Sequence, residues 1–253
     1  MEIVIDNLKI NYVEKGTGNP VLMLHGWGSS VVPFTNIINL LSTKYRVIAV
    51  DFPGCGKSDT MSEPWTVDTY ADFTVKLCRE LHIENPILIG HSHGGRVIMK
   101  LVGEKMLEPK KVIFLDSAGL IPKKSFKKKI KIASFKFIKR VLTLPLIKNF
   151  SGKLLEKARN HFGSSDYRAA PEVLRKTMVN VVNTDLRHLL PNFSCPTLLI
   201  WGENDTDTPL ADAKIIESLI KDSGLCVIKN AGHFAFLDNP VQTAAILKSF
   251  LNC

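Results

Sequence analysis

Three residues of this 253-residue chain could together activate a hydroxyl: Ser92, His233 and Asp205. A serine hydroxyl is a poor nucleophile near neutral pH, so it needs a base to take its proton and an acid to orient that base. Ser92 lies in Gly90-His91-Ser92-His93-Gly94-Gly95, directly after the apolar run Pro86-Ile87-Leu88-Ile89. A buried strand meeting a sharp turn and then a helix would lift the serine clear of a sheet. Such a turn strains the serine backbone, so its neighbours two positions away must be small, and both are glycine. Gly95 would let the helix, expected from Arg96, pack close to the next strand. Gly-x-Ser-x-Gly recurs easily in loops, so the rest of the chain must decide.

His233 follows the strand-like run Leu225-Cys226-Val227-Ile228, in Asn230-Ala231-Gly232-His233-Phe234. Asp205 follows another, in Trp201-Gly202-Glu203-Asn204-Asp205. In open parallel sheets, ligands sit beyond the carboxyl ends of the strands, where all three residues would fall. Histidines 25, 82, 91, 93, 161 and 188 are alternative bases. His25 is expected to hold loops together, and His91 and His93 to flank the turn and point away from it. Asp207 lies two residues from Asp205, and Asp116 also ends a strand-like run, Leu115-Asp116-Ser117. Asp116 is the stronger rival acid.

The elements that would position these groups alternate between short apolar runs and helical patterns. Ile3–Ile5 and Leu8–Val13 read as a hairpin turning at Asp6-Asn7. Buried strands are expected at 21–24, 46–50, 86–89, 111–115, 195–201 and 225–228. Between them, helices are expected from about Pro33, from Thr66 (as N-cap) to His82, after Ser92 to about Met106, at 210–220 and at 240–251. This alternation implies a mostly parallel sheet covered by helices on both faces. It breaks between Gly119 and Ser194, where only helical and basic segments occur. Gly56-Lys57-Ser58 suggests a phosphate loop, but the glycine such a loop needs at position 51 is Asp51, so nucleotide binding is rejected.

The net charge of +9 is unevenly spread. Residues 119–190 hold 17 Lys/Arg against 4 Asp/Glu, whereas the remainder holds 16 against 20. The basicity therefore belongs to one segment, and no nucleic-acid module accompanies it. Lys123 to Arg140 contains nine cations and no acid, and Phe126, Ile130, Ala133, Phe137, Val141 and Leu144 run through and just beyond it at near-helical spacing. A basic amphipathic helix of this kind fits a solvated surface, an acidic partner or weak contact with an anionic membrane. No run approaches the ~20 apolar residues of a membrane span. Cys55, Cys78, Cys195, Cys226 and Cys253 lack metal-ligand spacing, and with an N-terminus lacking a cationic lead they imply reduced thiols in a cytoplasm.

Five stretches in order resemble the α/β-hydrolases, in the subgroup with a helical cap, over nearly the whole chain. They are His25-Gly26-Trp27-Gly28, Asp51-Phe52-Pro53-Gly54-Cys55-Gly56-Lys57-Ser58, Gly90 to Gly95, Pro196 to Asp205, and Gly232-His233-Phe234. The resemblance implies a doubly wound, mostly parallel sheet of about eight strands, with core residues 1–118 and 195–253 and a cap at 119–194. It implies Ser92 as nucleophile, His233 as base and Asp205 as acid, in the chain order of that family. The oxyanion hole would be the backbone N–H groups of Trp27 and His93. The family spacing Gly-x-x-Asp-x-x-x-Pro is met by Gly202, Asp205 and Pro209, although some members take their acid where Asp116 stands.

A serine nucleophile implies acyl transfer to water, from an ester, a thioester or a C–C bond β to a carbonyl. Relatives that cleave ring-fission products usually carry Asn before the serine and Trp after the histidine, where this chain has His91 and Phe234. No metal and no organic cofactor is implied. Phe126, Phe137, Leu142 and Phe162 are expected to roof a small or medium apolar ester. His25-Gly26-Trp27-Gly28 with a basic cap also resembles the pimeloyl-acyl-carrier-protein methyl ester esterases, which would imply an acidic carrier protein as partner. A ligand receptor of the same fold is the competing class.

Overall fold

Asp6 and Asn7 adopt left-handed conformations, with φ of 50° and 64°, and close the expected hairpin between β1 (Glu2–Ile5) and β2 (Leu8–Lys15). The computed structural model describes residues 1–121 and 170–252, and all statements below concern these residues. Six further strands follow: β3 (Pro20–Leu24), β4 (Arg46–Val50), β5 (Ile87–His91), β6 (Lys111–Leu115), β7 (Thr197–Gly202) and β8 (Ser223–Ile228). They form one sheet in the order β1-β2-β4-β3-β5-β6-β7-β8, antiparallel only at β1–β2 and β2–β4. The Phe126, Phe137, Leu142 and Phe162 roof and the basic run 123–140 lie outside the described residues.

Strand side chains alternate between two cores, as the two-residue period of a strand requires. Leu22, Leu24, Ile48, Val50, Leu88, Phe114, Leu199 and Trp201 belong to one core. It is covered by α2 (Val67–Glu80), α3 (His93–Gly103), α4 (Glu172–Val182) and α5 (Leu210–Leu219). Val21, Met23, Val47, Ala49, Ile89, Ile113, Leu115 and Ile200 face the other, under α1 (Thr35–Leu41), α6 (Ala235–Asp238) and α7 (Pro240–Leu251). Helices on both faces explain why the parallel strands read as unbroken apolar runs.

Thr66 caps α2 as expected, in a reciprocal capping box with Thr69. The helix after the serine differs from expectation: α3 begins at His93, not Arg96, and ends at Gly103, not Met106. Gly94 and Gly95 carry no side chain, so the first turn contributes nothing to the apolar periodicity from which a helix is read. Their role is close packing. A Cβ on Gly94 would lie 1.9 Å from the Leu24 carbonyl oxygen, and one on Gly95 would lie 1.8 Å from Ser117 Oγ.

The chain leaves the sheet after β6 and returns beside its point of departure. Leu186 N–H donates to Gly119 O at 2.9 Å, and Arg187 Nη2 donates to Ile121 O at 3.2 Å. On the return, α4 presses Leu174 against Gly54, and the Thr177 hydroxyl accepts from Trp65 N–H at 3.0 Å. A 3₁₀ segment, Arg187–Asn192, then buries Leu189 and Leu190 beneath α3.

Because Leu24 O belongs to backbone held on both sides of the sheet, it cannot yield to a new methyl group. Gly94→Ala should therefore lower stability by about 1–3 kcal/mol, read as a drop in urea midpoint at unchanged slope. A midpoint equal to that of the unsubstituted protein would show that α3 does not need this approach.

Candidate active site

The residue joining β5 to α3 is Ser92, with φ 48° and ψ −111°. That left-handed, high-energy backbone is unusual for a residue other than glycine and is stored where the surroundings over-determine it. Ser92 N–H donates to Leu115 O at 3.1 Å, and Ser92 O accepts from Ala118 N–H at 2.9 Å, so the adjacent strand end grips the turn from both sides. Among the described residues, Ser92 Oγ makes no hydrogen bond.

His233 and Asp205 meet. His233 Nδ1–H donates to Asp205 Oδ2 at 2.9 Å, which fixes the neutral tautomer with a bare Nε2. Asp205 has a fully buried side chain. Its Oδ1 accepts from Asp207 N–H at 2.8 Å and Thr208 N–H at 3.0 Å, and its Oδ2 accepts from the Thr208 hydroxyl at 2.6 Å. Burial alone would raise this carboxyl, but the hydrogen bonds from His233 and Thr208 outweigh it and hold it below the usual carboxylate range. Burial likewise pulls His233 down, but its hydrogen bond to Asp205 and the charges of Asp205, Asp207 and Asp116 leave it raised. Asp205, Asp207 and His233 bring metal-ligand-type atoms within 4.8 Å of one another. Both Asp205 oxygens already accept two hydrogen bonds each, so neither is left unshared for a cation.

Asp116 is not the partner of His233. Its Oδ1 accepts from Gly202 N–H at 2.7 Å and its Oδ2 from Ala235 N–H at 3.1 Å. One buried carboxylate thus ties the loop carrying Asp205 to the loop carrying His233. Burial raises it to about 7, against the two N–H bonds, which favour its charge. The two loops also bond directly, Asn204 N–H to Ala231 O at 2.9 Å.

On the other side of Ser92, Trp27 and His93 come together, their rings 5.6 Å apart and edge to face. Their backbone N–H groups donate to no described residue, and His93 N opens α3, where the helix dipole favours negative charge. The loop carrying Trp27 is fixed by two buried groups. His25 Nδ1–H donates to Gly26 O at 2.6 Å while its Nε2 accepts from Phe52 N–H at 2.9 Å, so it does hold loops together. Asp51 Oδ1 accepts from Val31 N–H at 2.7 Å.

His91 does not point away. Its Nε2–H donates to the backbone carbonyl of His233 at 2.8 Å, and its ring packs 4.9 Å from that of His233 and 4.6 Å from Phe234. A histidine before the serine carries no sequence signal for this contact, because its partner is a main-chain atom 142 residues away. His93 is enclosed by Trp27, Phe52 and Tyr70, and neither ring nitrogen has a described partner. Thr208, which sequence reasoning passed over, contacts both Asp205 and His233.

A model of the alpha/beta hydrolase family matches residues 21–246. The chain belongs to that family. It is 29% identical to the AB hydrolase superfamily protein YisY of Bacillus subtilis, over 94% of this chain and 93% of that protein. It is 25% identical to a pimeloyl-[acyl-carrier protein] methyl ester esterase of Aeromonas hydrophila, over 93% of this chain and 96% of the relative. Among solved structures, an esterase from Exiguobacterium antarcticum superposes with a TM-score of 0.77 at 26% identity, covering 99% of this chain and 98% of that one.

The buried histidines make stability depend on pH. Burial lowers His25, His91 (to about 3) and His93 below the 6.5 of an exposed imidazole. Between about pH 4 and 6.5 the unfolded chain therefore binds more protons at these three sites, and stability rises with pH. Asp116, raised from 3.8 to about 7, works in the opposite sense over the same window. His233 and Asp212, which are also raised, act with Asp116, whereas Asp205 and Asp185, which are held low, act with the histidines, so five groups against three leave a positive slope. Urea unfolding at pH 4.5, 5.5 and 6.5 should show stability climbing, and His91→Gln, which keeps an Nε2–H donor but cannot titrate, should flatten the climb. An unchanged slope in that variant would contradict the burial of a neutral His91.

Proposed function

We propose that this chain is a serine hydrolase cleaving a carboxylic ester of small to medium apolar character through an acyl-enzyme. The observation that carries the reading is the His233–Asp205 hydrogen bond at 2.9 Å, together with the bond from His91, the residue before the strained Ser92, to the His233 carbonyl. In this mechanism His233 Nε2 takes the Ser92 hydroxyl proton as Oγ attacks the ester carbonyl. The tetrahedral oxyanion is received by the N–H groups of Trp27 and His93, at the positive end of α3. Asp205 stabilises the imidazolium, which then returns its proton to the leaving alcohol. Water, deprotonated by the same histidine, releases the acid and restores Ser92. The residue range 119–194 serves as a cap over the acyl site, and the free thiols of Cys55, Cys78, Cys195 and Cys226 suit a cytoplasmic location.

A second reading concerns the substrate. The esterase relatives from Aeromonas hydrophila and Neisseria meningitidis are named for an acyl-carrier-protein methyl ester. Together with the excess of cations in residues 119–190, they support an acyl methyl ester borne by an acidic carrier. A relative from Metapseudomonas resinovorans is named as a hydrolase of 2-hydroxy-6-oxo-6-(2'-aminophenyl)hexa-2,4-dienoic acid. His91 and Phe234 stand where that chemistry usually has Asn and Trp, so the ester reading is preferred.

The test is an ester and thioester panel of graded chain length on the purified protein, with free and carrier-linked acyl esters included. Ser92→Ala should lose roughly 10³–10⁶ in kcat and all labelling by a fluorophosphonate. Asp205→Asn should lose roughly 10⁴, by destabilising the productive tautomer. A fluorophosphonate adduct at Ser92 with no turnover at any chain length would overturn the enzyme reading in favour of a ligand receptor.

A further inference from the structure

We propose that Thr208 is a positioning residue whose hydroxyl sets how tightly His233 holds its proton, and so the pH below which Ser92 is not activated. The inference rests on the reading of His233 as the base. Thr208 lies in the loop between β7 and α5 and is 7% exposed. Its Oγ1 is 2.6 Å from Asp205 Oδ2, 3.0 Å from the Asp116 carbonyl oxygen and 3.2 Å from His233 Nδ1. The residue cannot drift from this point. Its N–H donates to Asp205 Oδ1 at 3.0 Å, and its carbonyl accepts from the fully buried Trp201 Nε1–H at 2.7 Å.

A hydroxyl donates one proton and accepts on its lone pairs. Here two acceptors compete for that proton, Asp205 Oδ2 and Asp116 O, while the His233 Nδ1–H lies on the accepting side. When the proton goes to Asp205 Oδ2, it takes up part of the negative charge that would otherwise stabilise the imidazolium. His233 then protonates less readily. When it turns to Asp116 O, that charge is restored to His233, and Oγ1 itself can accept from Nδ1–H. The shorter contact is the one to Asp205, so the hydroxyl as placed lowers the proton affinity of the base. Without it, Asp205 would bind the protonated histidine more strongly and the base would stay blocked to higher pH.

Other groups facing His233 are Asp205 and Asp207 from the same loop as Thr208, Asp116 from the end of β6, and His91 from the end of β5. Asp238 on α6 holds the preceding residue, through Gly232 N–H at 2.8 Å. None of these changes when the Thr208 hydroxyl is replaced, so a comparison of hydroxyl-bearing and hydroxyl-free variants isolates it.

The experiment is a proton titration of the imidazoles, labelled with ¹³C at Cε1, in the unsubstituted protein and in Thr208→Val, Thr208→Ser and Thr208→Ala. The His233 signal is assigned by its loss in His233→Gln. Removal of the hydroxyl in Thr208→Val should raise the His233 midpoint by roughly half a pH unit or more, and Thr208→Ser should leave it near its original place. The acid limb of kcat/KM should move by the same amount, with the plateau reduced less than about tenfold. If Thr208→Val fails to fold, Thr208→Ala against Thr208→Ser makes the same comparison. A midpoint that stays put or falls when the hydroxyl is removed overturns the proposal, and an acid limb that fails to follow a raised midpoint overturns its link to activation. The titration reads His233 whether or not any ester is hydrolysed. A protein with no turnover but a raised midpoint would refute the ester reading while leaving the tuning by Thr208 standing.

Discussion

Both oxygens of Asp116 are taken by backbone N–H groups from different elements, Gly202 at the end of β7, before the loop of Asp205, and Ala235 at the start of α6, after the loop of His233. The meeting of Asp205 and His233 depends on that crossbar. A loop beyond a strand end has lost its ladder partners, and a buried N–H without a partner costs about as much as a broken hydrogen bond. A carboxylate has two oxygens and about four lone-pair directions, so one side chain can satisfy N–H groups arriving from two sides. Asp116 itself adopts φ 44°, and its own N–H bonds Ile200 O at 3.0 Å, so the backbone that carries the crossbar is anchored to β7 as well. Without it, the two loops would keep only direct ties such as Asn204 N–H to Ala231 O and Asn230 N–H to the Glu203 carboxylate.

The electrostatics follow from the same arrangement. Asp116 and Asp205 are both buried, yet burial and hydrogen bonding pull them apart, one raised to about 7 and the other held low. Asp205 stays ionised because four donors converge on it, including His233. Asp116 has only two, and neither carries a charge. Divergence of two neighbouring carboxyls by environment is how one site can keep a permanent anion beside a histidine without two full charges repelling. The nearby imidazoles of His25 and His91 are held low by burial and so add hydrogen bonds without adding positive charge next to His233.

Much of the architecture was legible in the residues. Unbroken apolar runs such as Val21–Leu24 and Ile87–Ile89 marked strands covered on both faces, and Ser92, Asp205 and His233 could be placed at strand ends. What the sequence left open has a physical cause in each case. Asp116 and Asp205 share one signature, a carboxylate after a buried strand, and only the direction in which each accepts hydrogen bonds separates them. The contact of His91 with the His233 carbonyl, and that of the Thr208 hydroxyl with Asp205, join side chains to groups that no local pattern reports. The start of α3 was displaced by three residues because Gly94 and Gly95 are silent in any hydrophobic period, although they are the residues that let the helix approach Leu24 and Ser117.

The other flank of Ser92 repeats the device. Asp51, at the end of β4, receives Val31 N–H from the loop carrying Trp27, Lys57 N–H from the loop that follows β4, and the Asn11 side chain from β2. It holds the loop of Trp27 as Asp116 holds the segments that carry Asp205 and His233. The two carboxylates stand on either side of β5, each beneath groups that would have to remain within tenths of an ångström during acyl transfer. Apolar packing cannot supply that precision at a strand end, because the chain there must stay open to substrate and its side chains face water as often as core. Directional bonds from a buried acceptor can, since they fix N–H groups by angle as well as distance. The division of labour in this fold is therefore physical: apolar contacts build the sheet, and two buried carboxylates position the edge of it around Ser92.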